Sequence, residues 1–371
     1  MGSWGVGDSR WREKGREWPN PKSKIQNRMR CIQLVKHGIP GQFELRDVPD
    51  PEPVDDEVVV RVEACGLNHL DLWFEQGELP IPLSLPRIPG CEIAGKIAAV
   101  GPDAPDVWKP GDAVAVQSNL FCNRCRYCRG GKESMCLAPV MLGVQRDGGF
   151  AEKVVVPSRA LVRLPAKVDA KISAALSLAG STAMRMLTER VTVGSGDWVL
   201  VIGASSGVGS AAIQIARVSG ANVIATASSE PKKALALELG AKHVVNTSDP
   251  GWPAEVRKLT DKRGVDVVVE HVGGETLLKC FECLARGGTI VTCGATAGKE
   301  VSLNVWSLFV KQQRLVGSYS RDRLDLEATL QWAADGRLQP VIHDVMPLAK
   351  APEAYARLRS RTVLGKLLIA P

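Results

Sequence analysis

The segment around Val201 restricts the fold of this chain more than any other. Residues 198–204 form an apolar run, WVLVIGA, which leads into a Gly-containing turn and then into a helical pattern of apolar residues. In a parallel sheet, a strand, turn and helix of this kind place free N–H groups at the helix N-terminus, where they bind a pyrophosphate. A turn without a ligand is the less favoured interpretation. The sequence therefore predicts a dinucleotide site at Ala204, Ser205, Ser206, Gly207, Val208 and Gly209, with Ala204 and Ser206 standing where glycines are usual.

The choice of dinucleotide depends on the end of the next strand, where a carboxylate normally binds the adenosine ribose 2′-hydroxyl. The strand NVIATAS ends instead at Ser228 and Ser229, and Lys232 follows shortly after. Hydroxyl groups beside an ammonium suit a 2′-phosphate. The pattern therefore favours NADPH over NADH.

Apolar strands alternate with helical patterns throughout this part of the chain. The strands lie at 198–204, 222–228, 243–246, 265–273 and 288–294. Such alternation predicts an α/β fold with a doubly wound parallel sheet, which we place at 172–311. Residues 29–171 hold short β-like runs separated by Gly and Pro, which is typical of a barrel-like β-domain. We expect residues 312–371 to complete that β-domain.

Four closely spaced cysteines form a Cys-x2-Cys-x2-Cys-x7-Cys run: Cys122, Cys125, Cys128 and Cys136. Four thiolates at this spacing enclose one tetrahedral zinc and leave no open position, which makes a structural site. The intervening residues are polar and Gly-rich, so the lobe at 120–137 needs the metal to order it. We therefore expect one structural zinc ion per chain.

Composition limits the class of protein and its compartment. The chain has 371 residues, of which 45% are hydrophobic, so it is long enough for two domains that each have a core. We find no apolar run that is long enough to span a membrane and no secretory signal, and we expect no membrane partner and a cytoplasmic location. The six cysteines outside the run are scattered among hydrophobic segments, and we expect them to be reduced.

The net charge of +7 is concentrated near the start of the chain, because residues 1–30 hold eight Lys or Arg against three Asp or Glu. The remainder is close to neutral, and we therefore expect no nucleic-acid partner. Residues 1–28 mix Gly, Pro and charged side chains without a sustained apolar period, which is typical of a flexible extension.

These features, together with several short segments, resemble the medium-chain dehydrogenase/reductase superfamily, which includes zinc alcohol dehydrogenases and quinone oxidoreductases. The resemblance covers Met29 to Pro371 and rests on FELRDVPDPEP, ACGLNHLD, PGCEIAGKIAAVG, the cysteine lobe, GGFAEKVVVP, LAGSTA and the GKLLIAP ending. It implies a GroES-like β-barrel catalytic domain and a Rossmann domain, with the active site in the cleft between them. It also implies an NAD(P)H-dependent oxidoreductase that forms a homodimer or homotetramer through Rossmann sheet edges.

The chain departs from the zinc-catalytic members at the three positions where they bind the catalytic metal. Asn68 stands at the first position, Cys91 at the second and Leu178 at the third. A catalytic zinc needs about three protein ligands, so Cys91 alone does not hold it. The alternative is an improvised metal site drawn from Cys65, Cys91, Glu92, His69 and Asp71.

Without a metal to polarise a carbonyl, hydride transfer requires a substrate that is already electrophilic, such as an enone or a quinone. Asn68 resembles the Asn of zinc-free quinone oxidoreductases and is the candidate donor to the enolate oxygen. His69 is the candidate proton donor, with solvent as the alternative, and Asp71 orients His69 or binds the nicotinamide ribose. Thr182 matches a family position near the nicotinamide. Purely structural roles are the alternatives for Asn68, His69 and Thr182.

The leading hypothesis is an NADPH-dependent reductase of activated double bonds or quinones. Two other functions stay open: an alcohol or aldehyde dehydrogenase with an atypical or absent catalytic metal, and an NADPH-binding or RNA-binding protein without significant catalysis. We expect a small apolar substrate, since apolar side chains line the predicted cleft unless they belong to the core. These side chains are Leu67, Trp73, Phe74, Trp306 and Phe309.

Overall fold

The computed structural model describes residues 27–371. The extension predicted at 1–28 lies almost entirely outside the described residues, and its flexibility stays a prediction. Within the described part of the chain, no helix has both the length and the apolar character needed to cross a membrane.

The described residues form strands and helices that divide between two sheets and their covering layers. The strands are β1 (Arg28–Lys36), β2 (Gln42–Pro49), β3 (Glu57–Gly66), β4 (Glu92–Val100), β5 (Ala113–Val116), β6 (Asn119–Leu120), β7 (Val140–Met141), β8 (Lys153–Pro157), β9 (Leu161–Arg163), β10 (Trp198–Val201), β11 (Asn222–Ala227), β12 (His243–Asn246), β13 (Val265–Glu270), β14 (Leu284–Thr292), β15 (Arg314–Gly317), β16 (Ile342–Pro347) and β17 (Lys366–Ala370). The α-helices are α1 (His69–Gln76), α2 (Arg126–Arg129), α3 (Ala170–Leu176), α4 (Ala179–Arg185), α5 (Gly207–Val218), α6 (Glu230–Glu238), α7 (Trp252–Leu259), α8 (Gly274–Cys283), α9 (Val305–Val310), α10 (Arg323–Ala334) and α11 (Ala351–Arg359).

The first domain is built on a seven-stranded sheet with the order β16-β17-β3-β4-β5-β9, in which β8 also pairs with β3. Strand β3 is central because it pairs antiparallel with β4, β8 and β17. Its side chains Val58, Val60 and Val62 are buried in the same core cluster as Phe150 and Tyr355. The C-terminal strands β16 and β17 therefore belong to the sheet that the first part of the chain begins.

The second domain is a parallel sheet with the order β12-β11-β10-β13-β14-β15. Its edge strand β15 pairs in parallel with β14, so the sheet extends to Gly317. The boundary predicted at residue 311 is therefore too early. The reason is that β15 is largely exposed at the sheet edge and lacks the continuous apolar run that marks the inner strands.

Strand β10 shows why the inner strands are mainly apolar. Val199 and Val201 pack on one face of the sheet in the cluster that includes Ile215 of α5. Leu200 and Ile202 pack on the other face, in a cluster that includes Trp252 at the start of α7. A parallel strand covered by helices on both faces buries both sets of alternate side chains.

The two domains meet where β17 begins beside the turn between β10 and α5. Gly365 donates its backbone N–H to Ser205 O at 2.7 Å. Glycine is required at this position, since φ is +82° and a Cβ would lie 2.0 Å from Val341 O. The C-terminal strand is therefore fixed directly against the predicted dinucleotide turn.

Candidate active site

The predicted dinucleotide turn lies at the carboxyl edge of the parallel sheet, between β10 and α5. Ser206 is the N-cap of α5, and its Oγ accepts a hydrogen bond from Gly209 N at 2.8 Å. Gly209 allows the helix to start close to the strand, because a Cβ there would lie 2.2 Å from Gly203 O. A helix N-terminus at the carboxyl end of a parallel sheet is the usual place for a pyrophosphate.

The other predicted turn residues occupy the same strand–helix connection. Ala204 and Ser205 are buried, whereas Gly207 and Val208 form the first turn of α5. A Cβ at Gly207 would lie 2.7 Å from the Cδ of Lys366, so the stem of that lysine passes beside the turn. The structure therefore brings all six predicted turn residues together and adds a neighbour from the end of the chain.

The three residues predicted to select the 2′-phosphate lie at the carboxyl end of β11. Ser228 and Ser229 are exposed, and Lys232 lies in the first turn of α6. The Lys232 ammonium donates to Arg361 O at 3.0 Å, which holds its side chain toward the C-terminal segment. The nearest following acid, Glu230, is exposed and lies 3.9 Å from the Lys233 ammonium.

Asn68 is the N-cap residue of α1, and its side-chain amide belongs to a buried polar cluster. Its Nδ2 donates to Gly66 O at 3.2 Å and to Glu92 Oε2 at 3.1 Å. Its Oδ1 accepts from the Lys366 ammonium at 2.6 Å. Both amide hydrogens of Asn68 are therefore engaged inside the protein, and the predicted role as a donor to substrate stays a prediction.

Lys366 and Glu92 form the centre of this cluster. The Lys366 ammonium lies 2.7 Å from Glu92 Oε2, and the two side chains are 5% and 0% exposed. Lys366 also donates to Leu67 O at 2.8 Å. A buried ion pair is tolerated when hydrogen bonds satisfy the remaining polar atoms, and here every oxygen of Glu92 has a donor.

The second oxygen of Glu92 reaches the Rossmann side of the cleft. Glu92 Oε1 accepts from the backbone N–H groups of Leu178 and Ala179, at 2.6 Å and 3.3 Å, where α4 begins. Asn68 and Leu178, two of the three positions compared with metal ligands, thus both contact Glu92. Cys91 directly precedes Glu92 and is buried, which raises the pKa of its thiol well above the ordinary range.

The Lys366 ammonium in the Asn68–Glu92 cluster repels a divalent cation. The improvised metal site drawn from Cys65, Cys91, Glu92, His69 and Asp71 would need three of these side chains to converge. Among the described residues, only the four-cysteine run brings three or more possible ligand atoms together.

His69 and Asp71 differ in their surroundings although both belong to the first turn of α1. Partial burial, together with the charges of His271, Arg361 and Lys366, lowers the pKa of His69 to about 4, although the residue keeps an exposed surface in the cleft. Burial raises the pKa of Asp71 to about 7, although the N–H of Asn68 donates to its Oδ2 at 2.8 Å and opposes that shift. His69 is therefore neutral at pH 7, and Asp71 stabilises the start of α1.

Thr182 lies in α4, and its Oγ1 donates to Leu178 O of its own helix at 2.7 Å. This is the structural role that the sequence leaves open as the alternative. No contact in the structure tests whether Thr182 also lies beside a nicotinamide, which stays a prediction.

A cavity of about 290 Å³ opens between α1, the loop after β14 and the end of α11. Its lining includes His69, Trp73, Thr296, Lys299 and Arg361. Lys299 also forms an ion pair with Glu78 at 3.4 Å, which connects the two domains at the rim. The walls are thus more polar and more basic than the predicted apolar cleft.

Most of the aromatic and apolar residues predicted to line the cleft lie elsewhere. Leu67 and Phe74 are 2% and 0% exposed and belong to the core. Trp306 and Phe309 are 72% and 55% exposed on α9, where their rings contact each other. Trp73 is the member of the predicted set that lines the cavity. Large apolar side chains alone do not distinguish a core, a cleft and an outer surface.

Two further site residues, Lys366 and His271, were not singled out from the sequence. Lys366 interrupts an apolar segment, and a charged residue in such a segment is the available signal. His271 follows β13, and its Nε2 lies 3.1 Å from Ser206 Oγ at the dinucleotide turn. A polar residue directly after an inner strand of a parallel sheet is the corresponding signal for His271.

The four cysteines of the lobe are arranged as zinc ligands. Their sulfur atoms all lie within 4.8 Å of one another, compared with about 3.8 Å for a tetrahedral site with Zn–S bonds of about 2.3 Å. Backbone N–H donors from Cys128 and Leu137 lower the pKa of Cys125 to about 6. Thiolates supported by backbone N–H groups fit a structural zinc, and Cys122, Cys125, Cys128 and Cys136 would hold it.

Comparisons with known proteins agree with this architecture. Residues 54–166 match the alcohol dehydrogenase GroES-like domain and residues 207–335 match the zinc-binding dehydrogenase family. A crystal structure of an NAD-dependent alcohol dehydrogenase superposes with a TM-score of 0.89 and 39% identity, over 92% of this chain and 100% of that chain.

Two curated relatives point to different substrates. The quinone oxidoreductase of Homo sapiens is 30% identical over 93% of this chain and 98% of its own length. The acryloyl-coenzyme A reductase of Sulfurisphaera tokodaii is 31% identical over 91% of this chain and 99% of its own length. The GroES-like and Rossmann domains confirm the predicted fold, and the chain therefore belongs to the medium-chain dehydrogenase/reductase superfamily of NAD(P)H-dependent oxidoreductases.

Proposed function

We propose that the chain is an NADPH-dependent reductase of activated carbon–carbon double bonds or quinones that works without a catalytic zinc. The observation that carries this proposal is the Lys366 ammonium, which bonds Asn68 Oδ1 and Glu92 Oε2 at the place where metal ligands are expected. A fixed ammonium in this cluster disfavours a divalent metal. The quinone oxidoreductase and acryloyl-coenzyme A reductase among the relatives support this chemistry.

When bound, the coenzyme supplies the hydride. The carbonyl oxygen of an enone gains negative charge as its β-carbon accepts hydride, and fixed donors stabilise that charge. We propose Asn68 as one such donor, which exchanges its bond to Gly66 O or Glu92 for one to the substrate. The low pKa of His69 leaves solvent as the proton source at neutral pH, although His69 still contacts the cavity.

The preference for NADPH rests on the end of β11. Ser228 and Ser229 offer exposed hydroxyl groups, and Lys232 offers an ammonium in the next turn. A 2′-phosphate accepts hydrogen bonds from both kinds of group, whereas a free ribose is normally held there by a carboxylate.

A panel of substrates, each assayed with NADPH and with NADH, tests the proposed reaction and the coenzyme preference together. We expect reduction of 2-cyclohexen-1-one or 1,4-benzoquinone, little reduction of hexanal, and a kcat/KM for NADPH about tenfold or more above that for NADH. Asn68→Ala should lower kcat for the enone by about 100-fold. Initial rates of coenzyme oxidation are the measurement.

Each alternative has its own outcome in the same panel. Alcohol oxidation that a chelator abolishes would favour a metal-dependent dehydrogenase, and tight NADPH binding without any turnover would favour a non-catalytic binding protein. A preference for NADH would contradict the coenzyme assignment. An unchanged enone rate in Asn68→Ala would show that Asn68 does not donate to the substrate.

We also propose a homo-oligomer that assembles through the β15 edge of the Rossmann sheet. Within residues 27–371, one side of strand β15 has no partner strand, and the adjacent helix α9 exposes Val305, Trp306 and Phe309. An apolar patch beside a sheet edge is typical of a subunit interface. Light scattering should give a multiple of 39.8 kDa, and Trp306→Glu should lower it. A wild-type mass near one chain would refute the proposal.

A further inference from the structure

Arg321 lies in the loop after β15, at the same carboxyl edge of the parallel sheet as the dinucleotide turn. It is 3% exposed, so protein atoms surround the guanidinium. The preceding residue, Ser320, has φ of +56° and its Oγ accepts from Asn119 Nδ2 at 2.6 Å. The loop therefore brings Arg321 from the Rossmann domain against the end of β5 in the first domain.

Arg321 is a buried cation without a counter-charge among the described residues. Its one side-chain hydrogen bond there is from Nη2 to Ser118 Oγ, and its Nε has no partner. Among the described residues, no Asp or Glu oxygen lies within 4.0 Å of its guanidinium nitrogens, the limit for an ion pair. A guanidinium has five N–H donors, so most of its hydrogen-bonding capacity is unused.

The carboxylates that act on Arg321 from a distance are already neutralised by other cations. Glu92 is paired with Lys366 at 2.7 Å, and Asp325 is paired with Arg185 at 2.8 Å. Burial lowers the pKa of Arg321, against the influence of Cys91, Glu92, Asp325 and Tyr319. Burial of an unpaired charge is costly, which is why buried arginines normally contact an anion.

Contacts behind Arg321 hold its loop in place. Arg185 donates to Asp322 at 2.6 Å as well as to Asp325. The cysteine lobe contributes Ser134 N, which donates to Asp322 Oδ1 at 2.6 Å, and Glu133, which accepts from Arg323 N at 3.0 Å. The loop is therefore fixed by α4 and by the lobe, so the unused donors of Arg321 are pre-positioned for a ligand.

We propose that Arg321 is an anion subsite of the active site, which binds a negatively charged oxygen of the substrate. The subsite deepens the reductase function proposed above, because Arg321 contacts Ser118, which follows β5. Strand β5 pairs antiparallel with β4, and β4 begins at Glu92 of the Asn68–Lys366 cluster. The charged oxygen is either a carboxylate that the substrate already carries or the enolate oxygen that forms as hydride arrives. Both present the acceptor that a guanidinium binds best.

The two sources differ in when the charge exists. A carboxylate is charged before reaction, so its contact with Arg321 contributes to substrate binding and to KM. An enolate oxygen is charged only near the transition state, so its contact contributes to kcat. Kinetics with a neutral enone and binding of a carboxylate therefore distinguish them.

The test compares zinc-loaded wild type with Arg321→Gln, Arg321→Lys and the control Arg323→Gln. Arg323 begins α10 directly after the same loop, and its guanidinium donates to Arg159 O and Leu161 O, so its loss affects structure without removing the subsite. Crotonate is titrated into each NADPH complex by calorimetry, and 2-cyclohexen-1-one kinetics are measured in parallel. Thermal melting of every variant reports its stability.

We expect Arg321→Gln either to weaken crotonate binding about tenfold or more, or to lower kcat for the neutral enone about 100-fold. Arg321→Lys should be intermediate. Arg323→Gln should be near wild type in both measurements. The first result identifies a carboxylate and the second an enolate. Changes below twofold in both measurements for Arg321→Gln would overturn the subsite. If no alkene or quinone is reduced but crotonate binding still depends on Arg321, the reductase function fails and the subsite stands.

Discussion

Replacing Lys366 with Met should lower the free energy of unfolding by about 3–5 kcal/mol and abolish most of the activity. The change leaves Glu92, whose side chain is fully buried, as a carboxylate without its cation. It also removes the donor to Asn68 Oδ1 and to Leu67 O. Urea denaturation followed by fluorescence measures the loss of stability, and initial rates measure the loss of activity.

Two further variants show that the loss arises from the buried pair. Lys96→Met removes an exposed lysine that lies 3.6 Å from Glu63, and it should cost less than about 1 kcal/mol. The double variant Lys366→Met with Glu92→Gln should recover part of the stability, because a neutral amide replaces the unpaired carboxylate. If Lys366→Met lowers the free energy of unfolding no more than Lys96→Met does, the Lys366–Glu92 ion pair does not stabilise the fold.

Replacing Cys125 with Ser should remove the zinc and unfold the lobe at 120–137. The wild type should hold close to one zinc per chain and the variant close to none, as measured by elemental analysis. The lobe has few buried apolar side chains of its own, so metal binding supplies its folding free energy. Hydrogen exchange at 120–137 should rise to the rate of an unfolded segment.

Loss of the lobe should also disturb the Arg321 loop, since Ser134 and Glu133 hydrogen-bond to Asp322 and Arg323. We therefore expect faster hydrogen exchange at 318–323 in Cys125→Ser. Cys293→Ser, which changes a cysteine outside the lobe, should keep its zinc and normal exchange. Two tightly held zinc ions in the wild type would refute the absence of a catalytic metal, and a zinc retained by Cys125→Ser would refute the four-cysteine site.

Local patterns in the sequence were sufficient to predict the strand–turn–helix connection after β10 and the clustering of the four cysteines. Both depend on residues that are close in the chain: Ser206 caps the helix that holds Gly209, and the four cysteines lie between 122 and 136. Spacing along the chain then translates directly into spacing in the structure. The predicted domain boundary at 311 was wrong because β15, an exposed edge strand, carries a weak pattern.

The surroundings of the candidate catalytic residues depend on long-range contacts. Asn68 and Lys366 are 298 positions apart, yet their side chains lie 2.6 Å from each other. Similarly, Ser118 and Arg321 are 203 positions apart. No spacing rule connects such residues, because the contacts exist only after β17 pairs with β3 and the loop after β15 reaches Ser118, which follows β5.

The sequence by itself determined the superfamily and the two-domain fold, and it predicted which residues form the turn after β10 and the cysteine cluster, because each follows from periodicity or spacing within one segment. Only the tertiary structure decided which charges are neutralised. It paired Glu92 with Lys366, placed Trp306 and Phe309 on the outer surface, and left Arg321 buried without a counter-charge among the described residues. The physical reason is that the free energy of a buried charge depends on its neighbours in space, which a linear pattern does not specify.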